Sequence, residues 1–177
     1  MNGQIIWILK GYEMFALHGE SSIKVERLAK EVGISKSSFY HYFADLEIFI
    51  DSLLDYHLEQ SRKMAVKENA AVSIDPELIQ ILVEHKVDLL FNRQLRIHQN
   101  NPKYFDILNM SNGIIGNEFV HLWVRELDLK LGFEQLQGLF ELALENFYLQ
   151  INFENLHYDW LSNYFKNLRR IALNFSV

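Results

Sequence analysis

The stretch from Lys24 to Phe43, KVERLAKEVGISKSSFYHYF, leaves this chain the fewest ways to fold. Val25, Leu28, Ala29 and Val32 recur at helical spacing, so a short helix over 25–32 has one apolar face. Gly33 follows at once, and glycine accepts the left-handed backbone that ends a helix. Ile34 reads as a buried plug in the turn. Ser35 is placed to cap a second helix, over 36–43, by accepting a bond from a free backbone amide. Phe39 and Phe43 stand four apart and share the inner face. Lys36, Ser37, Ser38, Tyr40, His41 and Tyr42 are left for the other faces. A cation, hydroxyls and phenols turned outward suit a DNA groove, because cations and hydroxyls bind phosphate and small polar groups can approach base edges.

Within this stretch, AKEVGISKSSFYHYF resembles the DNA-binding signature of the tetracycline-repressor-like (TetR) family. It matches at Ala29, Gly33, Ile34, Ser35, Lys36, Ser37, Ser38, Phe39, Tyr40, Tyr42 and Phe43. Upstream, Phe15 and Gly19 match the end of the family's first helix. The resemblance implies an all-α protein. Helices 4–18, 25–32 and 36–43 would form a helix-turn-helix head within residues 1–45, and residues 46–177 a helical ligand-binding and dimerisation body. It implies a transcriptional regulator, a repressor, that binds a double-stranded DNA operator as a homodimer and is released by a small hydrophobic effector. Recognition helices would enter successive major grooves roughly 34 Å apart. The DNA contacts expected are Lys24, Lys36, Ser37, Ser38, Tyr40, His41 and Tyr42. Lys24 stands about where the family often starts its second helix with Thr or Ser, and Leu46 where it often has Lys. Glu26 stands near a common phosphate-contacting position. His85, Tyr104, Trp123 and Phe147 are candidates to line an effector cavity, which the family commonly has between body helices.

The rest of the chain reads as helices. Residues 4–18 carry the stripe Ile5, Ile8, Leu9, Tyr12, Phe15 and Ala16, closed by Gly19. Asp45 is placed to cap a helix over 46–66 with Ile48, Phe49, Leu53, Tyr56 and His57 inward. KENAAVSID is a break, and Asp75-Pro76 reads as a cap followed by a first-turn proline opening a long helix over 76–99. Asn101-Pro102 repeats that signal. SNGIIGN, with Gly113 and Gly116, reads as an interruption before a helix over 117–130 that Gly132 closes. The last two helices span 134–152 and 157–175. The first is apolar over most of its girth, and in the second Leu161, Phe165, Leu168, Ala172 and Phe175 form a stripe. So much apolar surface favours a self-complementary four-helix contact between two copies.

Charge and composition narrow the alternatives. The net charge is −6, which argues mildly against nucleic acid. Its distribution softens the objection: residues 1–44 hold five Lys/Arg against four Asp/Glu, and residues 45–177 hold twelve against nineteen. No cysteine is present, which excludes disulfides, thiolate catalysis and cysteine-ligated zinc and fits a cytoplasmic protein. No run approaches the roughly 20 apolar residues of a membrane span. The histidines, at 18, 41, 57, 85, 98, 121 and 157, offer no pair three or four apart, so no metal site is expected. No cofactor is called for either. There is no nucleophile elbow, no phosphate-cradling glycine loop and no carboxylate pair with a place to act, so an enzyme is not expected. The alternative from another class is a helical interaction protein of similar fold that no longer binds DNA.

Overall fold

In the computed structural model of the chain, residues 3–127 and 133–174 are described, apart from the side chains of 116–121, 123–127, 133 and 174. All regular structure among them is helical, as the sequence implies. The elements are α1 (Gly3–His18), a 3₁₀ turn (Glu20–Ser22), α2 (Val25–Val32), α3 (Lys36–Tyr42) and α4 (Leu46–Ala70). A wide helical turn (Ile74–Leu78) leads into α5 (Ile79–Glu84), followed by α6 (Lys86–Ile97), α7 (Pro102–Leu127), α8 (Phe133–Gln150) and α9 (Tyr158–Asn174). The chain forms two compact units. One comprises residues 1–61 and 87–111, the other 62–86 and 112–177. The expected head, 1–45, falls wholly within the first.

The first unit is built on aromatic rings. α3 has only seven residues, too few to hold a helix by propensity, so packing must hold it. Phe39 supplies that packing. Its ring lies edge-on to Trp7 at 5.5 Å and to Phe49 at 5.2 Å, and is tilted against Phe43 at 5.1 Å. Trp7, Phe39 and Phe49 are fully buried. Phe49 reaches α1 because residue 11 is glycine: a Cβ there would overlap the Phe49 ring. Further along α1, Tyr12 and Phe15 both stack on Phe91 of α6 at 4.4 Å. His57 stacks on the same ring at 4.7 Å.

Tyr12, His57 and Asp88 form a hydrogen-bond chain. The Tyr12 hydroxyl donates to Asp88 Oδ1 at 2.8 Å, so the 2.8 Å contact with His57 Nδ1 has the ring nitrogen as donor. Nε2 of His57 is buried and has no hydrogen-bond partner among the described residues. Burial pushes His57 down to about 4, against an opposing pull from Asp88.

In the second unit, α5 packs on α9. Asp75 accepts hydrogen bonds from the hydroxyls of Tyr158 and Ser162, and these hold its carboxyl below the ordinary range. Tyr164 stacks on Trp160 at 5.4 Å and donates to the Ala143 carbonyl of α8 at 2.9 Å. Burial raises its phenol to about 12.

Several local expectations are corrected. Ser35 does not cap α3; its hydroxyl pairs with that of Ser37 at 2.9 Å. Ile34 is half-exposed rather than a plug. Asp45 does cap α4, through Ile48 N at 2.9 Å, but Ile48 itself is exposed and Ile50 and Leu54 are buried instead. α4 runs on to Ala70, because Met64 and Glu68 still face inward. Asp75 has extended backbone and gives its carboxylate to α9 rather than to an amide. The long helix over 76–99 is broken at His85, whose φ of −91° and ψ of 24° leave the helical region. The break stands next to the boundary between the units, so the two halves need not share one inward stripe. SNGIIGN lies inside α7, with no interruption. Burial of Tyr104, Leu108, Ser111 and Leu122 along that helix outweighs the glycine penalty of about 1 kcal/mol. Gly132 lies outside the described residues.

Two outcomes follow from these observations. A Cβ at exposed Gly113 would meet nothing within 4 Å, so Gly113→Ala should stabilise the protein by about 0.5–1 kcal/mol in denaturant titration; a turn there would give the opposite sign. His57 is neutral when folded and has a depressed folded pKa. Its contribution is present above about pH 6.5 and is lost as pH falls toward 4, on the order of 3 kcal/mol in all. Stability measured from pH 7 to 4 should therefore fall less steeply in His57→Gln than in the wild type.

Candidate nucleic-acid interface

With Phe39 and Phe43 buried, the remaining faces of α3 are set by helical geometry. Lys36, Ser37, Tyr40 and His41 are exposed and, at positions one and four apart, form one contiguous outward face. Ser38 is half-buried at its edge. Tyr40 is 57% exposed and rests edge-on against Phe39 at 5.4 Å, which fixes its ring while leaving its hydroxyl in solvent. Tyr42 turns back: its phenol lies against Gly3, where a Cβ would not fit, so it also holds the start of α1. α3 follows α2 through Gly33, whose φ of 74° is the left-handed conformation foreseen for it. Lys24 stands exposed in the N-cap position of α2, with extended backbone and no side-chain cap bond.

One partner of this face is not visible in sequence spacing. Lys36 Nζ lies 2.9 Å from Glu26 Oε1, across the turn between α2 and α3, and both side chains are exposed. The hydrogen bond from Lys36 holds the Glu26 carboxyl below its ordinary range, and Glu26 raises Lys36. Lys24 pulls on the same carboxylate. The face thus offers an ammonium already engaged by an anion, together with hydroxyls, phenols and an imidazole. Such a surface can meet phosphate and base edges, but with little net charge.

The residues expected to line an effector cavity are divided between the two units. Tyr104 belongs to the first unit; it is buried and donates to Glu20 Oε2 at 2.6 Å, and burial raises its pKa. It lines a cleft of about 460 Å³ with Glu20, Ile23, Leu46, Glu47, Ile50, Asn101 and Lys103. His85 and Phe147 are buried in the second unit. The side chain of Trp123 lies outside the described residues. Of the stripe assigned to a dimer, Leu161, Phe165 and Ala172 are already buried within the single chain and Leu168 is half-buried, while Phe175 lies outside the described residues. Periodicity marked the apolar face of α9 but could not tell which body covers it. Among the described residues, the aliphatic side chains left exposed on α8 and α9 are Leu142, Leu149, Ile171 and Leu173. Among the described residues no cluster of His, Cys, Asp or Glu could hold a metal ion, and no helix is long and apolar enough to cross a membrane.

A three-helix head whose third helix is pinned by its aromatic side and turns polar residues outward defines a helix-turn-helix DNA-binding domain. Residues 8–47 match the family described as bacterial regulatory proteins, tetR family, so the head is a DNA-binding domain of that kind. No curated protein matches the chain. The matched head supports a DNA-binding transcriptional regulator.

Deleting the Tyr40 hydroxyl should separate binding from folding. Tyr40→Phe keeps the ring on Phe39, so the unfolding midpoint should not move, while DNA affinity should fall about threefold to tenfold for one lost hydrogen bond. Fluorescence polarisation with labelled duplex measures the second, and thermal unfolding the first.

Proposed function

We propose that this regulator is a repressor that binds its operator as a homodimer and leaves it when a small hydrophobic effector binds. The single observation behind the DNA contacts is the outward face of α3. Lys36, Ser37, Tyr40 and His41 make them, with Ser38, Tyr42 and Lys24 at the margins. Residues 1–45 act as the reading head and 46–177 as the regulatory body. Dimerisation is supported by the apolar side chains that the single chain leaves in water. Leu142 is 72% exposed and Leu149, one heptad on, 78%. Pairing α8 and α9 with a second copy would cover them. Buried His85 and Phe147 in the second unit support a largely apolar effector site there, suited to a hydrophobic or amphipathic molecule.

A second reading has its own observation. Lys36 is engaged by Glu26 and the chain carries a net charge of −6, as a helical interaction protein that has abandoned DNA would. Polarisation with random duplex at low salt divides the two: the repressor reading requires binding that weakens steeply as salt rises, the other none.

The dimer is tested by sedimentation at micromolar concentration. The wild type should run at twice 21.0 kDa, and Leu142→Asp should shift toward the monomer with unfolding unchanged, because this side chain is not part of the single-chain core. Leu161→Asp should instead unfold the protein, since it places a carboxylate in a fully buried site. A wild-type monomer would refute the two-groove mechanism.

A further inference from the structure

A cation that faces DNA is useful only if it is available to phosphate. Lys36 opens α3, and Glu26 Oε1 lies 2.9 Å from its ammonium. Glu26 is also within electrostatic reach of Lys24, so one carboxylate answers both lysines assigned to this face. Nothing in the fold forces the contact. Both side chains are exposed, Glu26 is on α2 and Lys36 on α3, and neither is part of the aromatic core. An exposed pair of this kind is weak and readily exchanged.

In helix-turn-helix docking the first residues of the recognition helix approach the base edges. The Glu26 carboxylate is held at that end of α3. Two physical consequences follow there. On arbitrary DNA, where affinity comes almost wholly from phosphate neutralisation, the carboxylate competes with phosphate for Lys36 and repels the backbone. On a sequence that presents an amino group in the major groove, cytosine N4 being the one suited to a carboxylate, Glu26 can give up Lys36 and accept from the base instead.

We propose that Glu26 is a specificity determinant of the head, withholding Lys36 from non-cognate phosphate and releasing it where the operator offers a base amino group at the N-terminal end of α3. The proposal rests on the DNA-binding reading above. It assigns to a single acidic residue the balance between general and selective affinity.

The test uses the full chain with two probes, a random 30-base-pair duplex (about three helical turns) and an operator fragment recovered by selection from a randomised library. Glu26→Gln should raise affinity for the random duplex about tenfold at low salt. It should also steepen the slope of log affinity against log salt by about 0.9 for each freed lysine. Operator affinity should rise less than about threefold, so the ratio of selective to random binding falls. Glu26→Ala should behave alike, and in a Lys36→Gln background the gain should shrink to the smaller part left by Lys24 and backbone repulsion. Unchanged random-duplex affinity, an equal gain on both probes, or the same gain without Lys36 would each overturn the proposal while leaving DNA binding intact. Failure of the wild type to bind random duplex and to recover any fragment would sink the DNA-binding reading itself, and this inference with it.

Discussion

The burial of Phe39 against Trp7, Phe43 and Phe49 is the interaction on which the head depends. A seven-residue helix has no stability of its own, so without that cluster α3 would have neither a helical backbone nor an orientation. Once the two phenylalanines are buried, the outward position of Lys36, Ser37, Tyr40 and His41 is a geometric consequence. Gly11 enters here as well, since the cluster closes only where Phe49 can lie against bare backbone of α1. The polar surface is therefore a by-product of an apolar one, and damage to the core reads out as damage to recognition.

Electrostatically the head is close to neutral, and two of its five Lys/Arg are paired with carboxylates. Lys36 meets Glu26 and Lys10 meets Glu13. A protein of this kind gains little from the general attraction of DNA, which scales with the number of phosphates neutralised. Selectivity then rests more heavily on hydroxyls, phenols and shape.

Much of the helical order was legible in the amino-acid sequence. The bounds of α1, α2, α3, α8 and α9 fall within two residues of those that periodicity, Gly19 and Gly33 give. The misreadings share a cause. Gly113, Asp75 and Ser35 are residues with strong local preferences that competing partners overrode. Burial along α7 carried Gly113 through a helix. Tyr158 and Ser162 drew Asp75 from its cap, and the hydroxyl of Ser37 drew Ser35 from its own. The break at His85 had no local signal either, since the residues on both sides keep helical patterning while their cores differ.

By itself the sequence determined the helix-turn-helix and the set of side chains on the outer face of α3. Within one helix, spacing fixes the face, and a left-handed glycine fixes the turn. Only the tertiary structure decided which of those side chains are available. It paired Lys36 with a carboxylate ten residues away, laid Tyr42 against Gly3, and covered Leu161, Phe165 and Ala172 within the single chain. These are contacts between elements, and a contact between elements leaves no period in the sequence from which it can be read.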